Sequence, residues 1–449
     1  MSVAQAARHA ILLAAGKSTR MQSRRSKVLH EVGGRALLDW SLSLAQDLSC
    51  ARRIVVVGTD PEVRAAAIAR VGASDVVVQD PPLGTGHAAL QARDALATAG
   101  GVTAVMFADT PLIPIAALQE LYARVEAAGG VAVLGFEAAE PGAYGRLIED
   151  GAGGLARIVE AKDANAAERA IRLCNSGVMA APNALLFDLL AQVRNENAKG
   201  EYYLTDIVAL ARAAGHPAQI VRCAEADTLG VNSRADLAAA EAAFQAKKRA
   251  AMLAAGVTLR APETVFFAWD TEIGADCEIE PHVVFGPGVR LAPDVRVRSF
   301  CHLEGCVVDS GAIIGPFARL RPQAEIGVGA HIGNFVEVKA VQIGAGVKAN
   351  HLAYLGDGDI GAGANIGAGT IFCNYDGFDK HRTEIGAGAF IGSNSALVAP
   401  VRIGAGAYVG SGSVITKDVE ADALAVARGR QESRAGWASA FRERKQKKK

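Results

Sequence analysis

Residues Ile385–Ile415 read IGAGAFIGSNSALVAPVRIGAGAYVGSGSVI, with aliphatic side chains at Ile385, Ile391, Leu397, Ile403, Val409 and Ile415 and mostly Gly, Ala or Ser between them. A step of six is neither the 2.0 of a strand nor the 3.6 of a helix. It is the hexapeptide signature of a parallel β-helix, in which each coil has three short faces, aliphatic residues point inward and small residues fit the corners. The step recurs upstream at Ile273, Ile279, Phe285, Leu291, Val297 and Leu303, and again at Ile314, Leu320, Ile326, Ile332 and Val338. One solenoid beginning near Pro262 is expected. At about eighteen residues per coil and ~4.8 Å between stacked strands, about nine coils make a prism roughly 45 Å long. The segment CNYDGFDKHRTE (Cys373–Glu384) breaks the phase and is expected to loop out. The tail beyond Ala427 ends in FRERKQKKK and reads as solvated disorder.

The first half has another rhythm. His9–Ala14, Arg53–Val57, Asp75–Val78 and Thr103–Ala108 read as buried strands, and Leu37–Leu48, Pro61–Arg70, Gly86–Thr98 and Pro114–Val125 as helices between them. Strands alternating with helices predict a Rossmann-like α/β unit with a mostly parallel sheet, which binds ligands beyond the carboxyl ends of its strands. The Ala-, Glu- and Lys-rich stretch 233–255 reads as one connecting helix. The expected domains are therefore 1–232, a linker helix 233–255, and a β-helix with its basic tail over 256–449.

Composition limits the function. Lys+Arg and Asp+Glu are both 47, so the chain lacks the excess positive charge of a general nucleic-acid binder. No apolar run approaches the ~18 residues of a membrane helix, and MSVAQAARHAILLAAGK lacks the layout of a secretory signal. Seven scattered cysteines without a CxxC pair argue against a disulfide framework or structural zinc. The expected setting is cytoplasmic, with neither membrane nor nucleic acid as partner.

The chemistry-bearing strings follow strands. Leu13-Ala14-Ala15-Gly16-Lys17-Ser18-Thr19-Arg20 fits neither GxGxxG nor GxxxxGK[ST]. Its small residues let backbone N–H groups approach an anion, and its cations would neutralise one. Lys27 adds a second cation, Leu83-Gly84-Thr85-Gly86 a second Gly-rich turn, and Asp109 a carboxylate at a strand end, a common place for a Mg²⁺ ligand beside phosphates. In the solenoid, Arg321, Lys339, Asn350-His351, Tyr354 and Asn365 recur at spacings that place them on neighbouring coils. A solenoid face needs no such cluster of Arg, Lys, His and Tyr.

With Tyr144-Gly145-Arg146, Ile158-Val159-Glu160-Ala161-Lys162-Asp163, Asn175-Ser176-Gly177, Glu201-Tyr202-Tyr203-Leu204-Thr205-Asp206 and Gly230-Val231-Asn232, the first half resembles the sugar-nucleotide pyrophosphorylases. The EYYLTD string and the following solenoid narrow the resemblance to the bacterial members that join a uridylyltransferase to a hexapeptide acetyltransferase. It spans roughly residues 9 to 430. The resemblance implies CoA-dependent acetylation of glucosamine-1-phosphate, then Mg²⁺-dependent transfer from UTP to N-acetylglucosamine-1-phosphate, releasing pyrophosphate and supplying precursors of the cell wall. It further implies a homotrimer.

By the same resemblance, Leu13, Ala14, Ala15, Gly16, Gln79, Gly84 and Thr85 would hold the uridine nucleotide, Lys27 its phosphates, and Arg20 the departing pyrophosphate. Gly145, Glu160 and Asn175 would hold the sugar, and Asp109 with Asn232 the Mg²⁺. His351 would be the general base of acetyl transfer, Arg321 and Lys339 would bind the sugar phosphate, and Tyr354 and Asn365 the sugar. Ala368, Asn374, Tyr375, Ser393, Ser411 and Arg428 would contact acetyl-CoA. Ser18, Ala108, Arg25-Ser26, Asn350 and Ser411 depart from the family pattern. Two alternatives stay open: a single-function pyrophosphorylase with a regulatory β-helix, and a non-enzymatic subunit like the translation-factor exchange proteins that share this plan.

Overall fold

The computed structural model describes residues 6–16, 18–151 and 153–447. Lys17, one cation of the first loop, lies outside them. The chain forms two units, Met1–Lys247 and Lys248–Lys449, and the division falls inside the helix Arg234–Ala254.

In the first unit, strands run in the order Ala218–Cys223, Val131–Glu137, Leu173–Pro182, Val102–Phe107, Arg8–Ala14, Arg52–Val57, Val76–Val78. All neighbours are parallel except Leu173–Pro182, which runs antiparallel to both its neighbours in this order and to Arg146–Glu149. The period-2 geometry of a strand explains how one apolar run serves two cores. From Arg8–Ala14, Ala10 and Leu12 pack with the helices Leu37–Asp47, Pro61–Val71 and Ile115–Ala128. Ile11 and Leu13 pack on the other face with Thr85–Leu90, Asn183–Leu190 and Ile207–Ala213.

Two details differ from expectation. The helix expected over Gly86–Thr98 stops at Leu90 and gives way to a single tight turn, Asp94–Leu96. Asn183 Nδ2 donates to the carbonyls of Leu96 (3.0 Å) and Ala99 (2.7 Å), so this segment is tied to the helix Asn183–Leu190 as well as through its own turns. The antiparallel strand had no clean apolar run to betray it, because Asn175-Ser176-Gly177 interrupts it at a register shift.

The second unit is a left-handed parallel β-helix of hexapeptide coils. One face stacks ten strands, from Thr258–Leu259 to Leu424–Ala425. The stack is one strand longer than the nine coils expected. Steps along this face are mostly 18 residues (Glu278 to Arg296) or 17 (Arg296 to Ile313), with 20 at the first (Thr258 to Glu278), 16 at the last (Tyr408 to Leu424) and a longer one, Asn365 to Phe390, where residues 374–382 loop out. The shorter coils arise where the aliphatic step is five, as from Leu303 to Val308 and Val338 to Ile343, all inward-facing and buried.

The corners are not all small. His282, Phe300, Phe317, Phe335 and Leu352 hold positive φ at one corner, where an L side chain is disfavoured. Their rings stack outside the prism at 5.0 Å (His282–Phe300), 4.9 Å (Phe300–Phe317) and 5.2 Å (Phe317–Phe335). Phe300, Phe317, Phe335 and Leu352 stay 46–58% exposed.

The basic tail is solvated but not irregular. Trp437–Gln446 is a helix after Gly436 in the left-handed region. WASAFRERKQ contains no Gly or Pro, and Trp437 stacks on Phe441 one turn later at 5.1 Å.

Candidate active sites

In the first unit, a cavity of about 430 Å³ opens beyond the carboxyl ends of the strands. Leu13, Ala14, Ala15 and Gly16 reach it from the end of Arg8–Ala14, Gln79 from Val76–Val78, and Asp109 from Val102–Phe107; Lys27, Gly84 and Thr85 complete the expected set. Gln79 Nε2 donates to the Gly84 carbonyl at 2.9 Å. Gly84 has φ +117°, and a Cβ there would lie 2.6 Å from the Tyr202 carbonyl and 2.8 Å from its nitrogen. Only glycine fits, because Tyr202 is laced to this turn through Leu83 O and Gly86 N, both at 2.8 Å. The EYYLTD string thus forms one wall of the cavity, with Glu201 in the lining.

Lys27 Nζ donates to Asp109 Oδ2 at 2.5 Å and to Asn232 Oδ1 at 3.0 Å. Asn232 is brought here because the Val231 N–H donates to the Asp109 carbonyl at 2.9 Å. One carboxylate oxygen and one amide oxygen beside a phosphate-sized cavity suit Mg²⁺, which takes few protein ligands and fills the rest with water and phosphate. No group of three His, Cys, Asp or Glu poised for a metal occurs among the described residues.

The departures are accommodated. Ser18 Oγ accepts from the Lys27 backbone N–H at 2.9 Å, tying the first loop to the lysine. Ala108 is fully buried and its N–H donates to the Leu13 carbonyl. Arg25 is exposed, 3.4 Å from Glu31. Arg20 is exposed on the turn Thr19–Met21.

Gly145, Glu160 and Asn175 converge: Asn175 N–H donates to Gly145 O at 2.8 Å, and a Cβ on Gly145 would sit 3.6 Å from both Glu160 Oε1 and Asn175 Cβ. Glu160 accepts from Thr205 Oγ1 at 3.2 Å. Burial pushes the Glu160 carboxyl up, partly offset by that hydrogen bond. Burial, with Glu160 and Asp163 nearby, pushes the neighbouring Asp206 up to about 6. Thr205 and Asp206 were visible in EYYLTD, but nothing in the string marked them as partners of Glu160.

In the second unit, the resemblance-derived residues fall on both sides of the corner that follows the strand Lys348–His351. On one side, Asn334, His351, Ala368, Ser393 and Ser411 occupy equivalent positions in successive coils. Asn334 pairs with His351 in register, the Asn394 N–H donates to Ala368 O, and the Gly412 N–H donates to Ser393 O. The Arg428 guanidinium closes this column on the Ser411 carbonyl at 2.7 Å. The proposed base and most of the proposed CoA contacts therefore form one line.

His351 Nδ1 lies 2.7 Å from Asn334 Oδ1. An amide oxygen only accepts, so Nδ1 carries the proton and Nε2 keeps its lone pair. Asn334 escaped notice as a functional residue; its signal was its place one coil, seventeen residues, before His351.

Around the corner, Lys339 registers with Gly356, and Arg321 N–H bonds Val338 O one coil earlier, so Arg321 and Lys339 sit side by side. Arg321 pairs with Glu337 at 2.8 Å and Lys339 with Asp357 at 3.5 Å. Arg321 Nε is buried and without a hydrogen-bond partner. Gly356 leaves room at the next level, where a Cβ would strike Tyr354 OH at 2.5 Å and Asn374 Nδ2 at 2.8 Å. Asn374 donates to Asp357 Oδ2 at 2.6 Å, which draws the loop onto this patch. The loop also brings Lys380, missed in the sequence; its contact with the Lys339 ammonium pushes its own pKa down. Tyr375 is 61% exposed, its hydroxyl donating to Gly377 O. Asn365 stacks under Lys348 on the preceding face and is not joined to Tyr354.

A MobA-like NTP transferase domain family matches residues 10–222, and the bacterial transferase hexapeptide (six repeats) family matches residues 382–417. Fold and sites together define a nucleotidyltransferase joined to a hexapeptide transferase. Relatives named bifunctional protein GlmU are similar over nearly the whole chain. The one from Caulobacter vibrioides is 57% identical over 440 residues, covering 98% of this chain and 95% of its own length. Those from Sphingopyxis alaskensis (52%, 98% and 97% covered) and Paramagnetospirillum magneticum (54%, 96% of each) agree. The chain belongs to the bifunctional GlmU family. It is an enzyme with a nucleotidyltransferase and an acyltransferase activity, directed to UDP-N-acetylglucosamine.

Proposed function

We propose that the β-helix acetylates glucosamine-1-phosphate from acetyl-CoA and that the first unit then joins the product to UTP. The observation that carries the acetyl step is the His351–Asn334 bond. A protonated amine cannot attack a thioester; His351 Nε2 is the atom that takes a proton from the attacking neutral amine as the C–N bond forms and passes it to the departing sulfur as the C–S bond breaks, so that CoA leaves as the thiol. Arg321, Lys339 and Lys380 supply the charge that holds the sugar phosphate, and the Ala368–Ser393–Ser411 column with Arg428 lines the path for CoA.

In the first unit the sugar phosphate oxygen attacks the α-phosphorus of UTP and pyrophosphate departs, a step that needs positioning and charge neutralisation more than proton transfer. Mg²⁺, held by Asp109 and Asn232, would supply neutralisation on the phosphates. Gln79, Gly84 and Thr85 bind the nucleotide; Gly145, Glu160 and Asn175 orient the sugar; Arg20 meets the pyrophosphate as it leaves.

The acetyl site is proposed to close only in a homotrimer. His351 and Tyr354 flank a convex corner, and residues on adjoining faces of a prism diverge, so a second copy must supply the opposite wall. The exposed stack His282–Phe300–Phe317–Phe335 at that corner supports this, since large exposed apolar patches mark association surfaces. No helix among the described residues is long and apolar enough to cross a membrane, and a cytoplasmic setting is proposed. A direct test gives the purified chain glucosamine-1-phosphate, acetyl-CoA, UTP and Mg²⁺. One thiol and one pyrophosphate should appear per UDP-N-acetylglucosamine, and omitting acetyl-CoA should stop synthesis unless N-acetylglucosamine-1-phosphate is supplied.

A further inference from the structure

We propose that Lys27 competes with the divalent cation for Asp109 and Asn232, so that the cation enters only together with a nucleoside triphosphate. This rests on the reading of Asp109 and Asn232 as the cation's protein ligands. The Lys27 side chain is 10% exposed and that of Asp109 17%, so neither charge is well served by water. The ammonium lies 2.5 Å from the Asp109 oxygen and 3.0 Å from the Asn232 oxygen, the two oxygens that a divalent ion would also need. Its backbone is pinned as well, through the Ser18 hydroxyl at 2.9 Å and the turn Lys27–Leu29.

An ammonium and a divalent cation cannot share those oxygens, because they collide and repel. Free Mg²⁺ gives up its water reluctantly, and one carboxylate with one amide is a poor inducement. A triphosphate changes the balance. Its oxygens complete the cation's shell and give Lys27 another anionic partner within the same cavity. Cation and nucleotide binding are then positively coupled through one flexible side chain, and linkage requires each to tighten the other equally.

Mn²⁺ serves as the probe, with its free concentration read by electron paramagnetic resonance on the full chain, without sugar phosphate and hence without turnover. In the wild type Mn²⁺ should bind weakly alone and at least tenfold more tightly with UTP. In Lys27→Met, Mn²⁺ alone should bind at least tenfold more tightly than in the wild type, and UTP should add less. Lys27→Gln, with a polar end group, is measured beside it, and thermal melting of both shows that the unit is folded. Equal Mn²⁺ affinity of the wild type and both variants without UTP would overturn the competition. Unchanged Mn²⁺ binding in Asp109→Asn with UTP present would instead overturn the assignment of the cation site.

Discussion

His351 Nδ1 and Asn334 Oδ1 face each other at 2.7 Å across adjacent coils, so the position of the imidazole is set by the stacking of the solenoid itself. Asn334→Ala should leave the ring free to rotate and lower kcat for acetyl transfer by about 10- to 100-fold, the cost of a misplaced catalytic group. KM for acetyl-CoA should change little, and Asn334→Asp should restore part of the rate while shifting the pH profile. A normal kcat in Asn334→Ala would remove Asn334 as a positioning residue.

Gly84→Ala meets two obstacles, a φ of +117° and a Cβ 2.6 Å from the Tyr202 carbonyl. It should destabilise the first unit by more than about 1 kcal/mol and raise KM for UTP, with acetyl transfer unchanged. Thermal melting and steady-state kinetics read both effects.

Asp206 gives a pH signature. Its carboxyl is held near about 6 against an ordinary 3.8, chiefly by burial. The folded chain keeps this proton longer than the unfolded chain, so the group's contribution to stability is full below 3.8 and is lost as pH rises through about 6. Asp206→Asn removes the ionisation penalty. Its Tm should exceed that of the wild type at pH 8, with the gap shrinking toward pH 4; a pH-independent gap contradicts this.

Phe317→Ser together with Phe335→Ser should turn the stacked corner polar. Sedimentation should show the proposed homotrimer in the wild type and its loss in the double variant, with acetyl transfer falling alongside while uridylyl transfer persists. A trimer that survives the double change would place the interface elsewhere.

The solenoid was legible because its core is one aliphatic residue per six, a period that nothing else produces. Coil length was not, since a five-residue step such as Leu303 to Val308 hides as a slip in phase. The aromatic corner was invisible for a related reason: Phe300, Phe317 and Phe335 stand alone in sequence and meet only when coils stack. Four α/β strands, Arg8–Ala14, Arg52–Val57, Val76–Val78 and Val102–Phe107, announced themselves by apolar runs, whereas Val131–Glu137 and Ala218–Cys223 were not read and Leu173–Pro182 was masked by its polar interruption. In the first site, Asp109 carried its own signal at a strand end, whereas Asn232 is held beside it by the Val231–Asp109 backbone bond and the Lys27 bridge and entered the sequence reading by resemblance.

The central claim is that one chain carries two separable transfers. It is tested most directly by assaying both half-reactions on Asp109→Ala and His351→Ala. Asp109→Ala should abolish Mg²⁺-dependent formation of UDP-N-acetylglucosamine from N-acetylglucosamine-1-phosphate while CoA thiol release stays near wild type. His351→Ala should do the reverse, cutting thiol release by about 10²- to 10⁴-fold, the worth of a positioned general base, with uridylyl transfer intact. Wild-type thiol release in His351→Ala would overturn His351 as the general base, and loss of both half-reactions in either variant would contradict two separable sites.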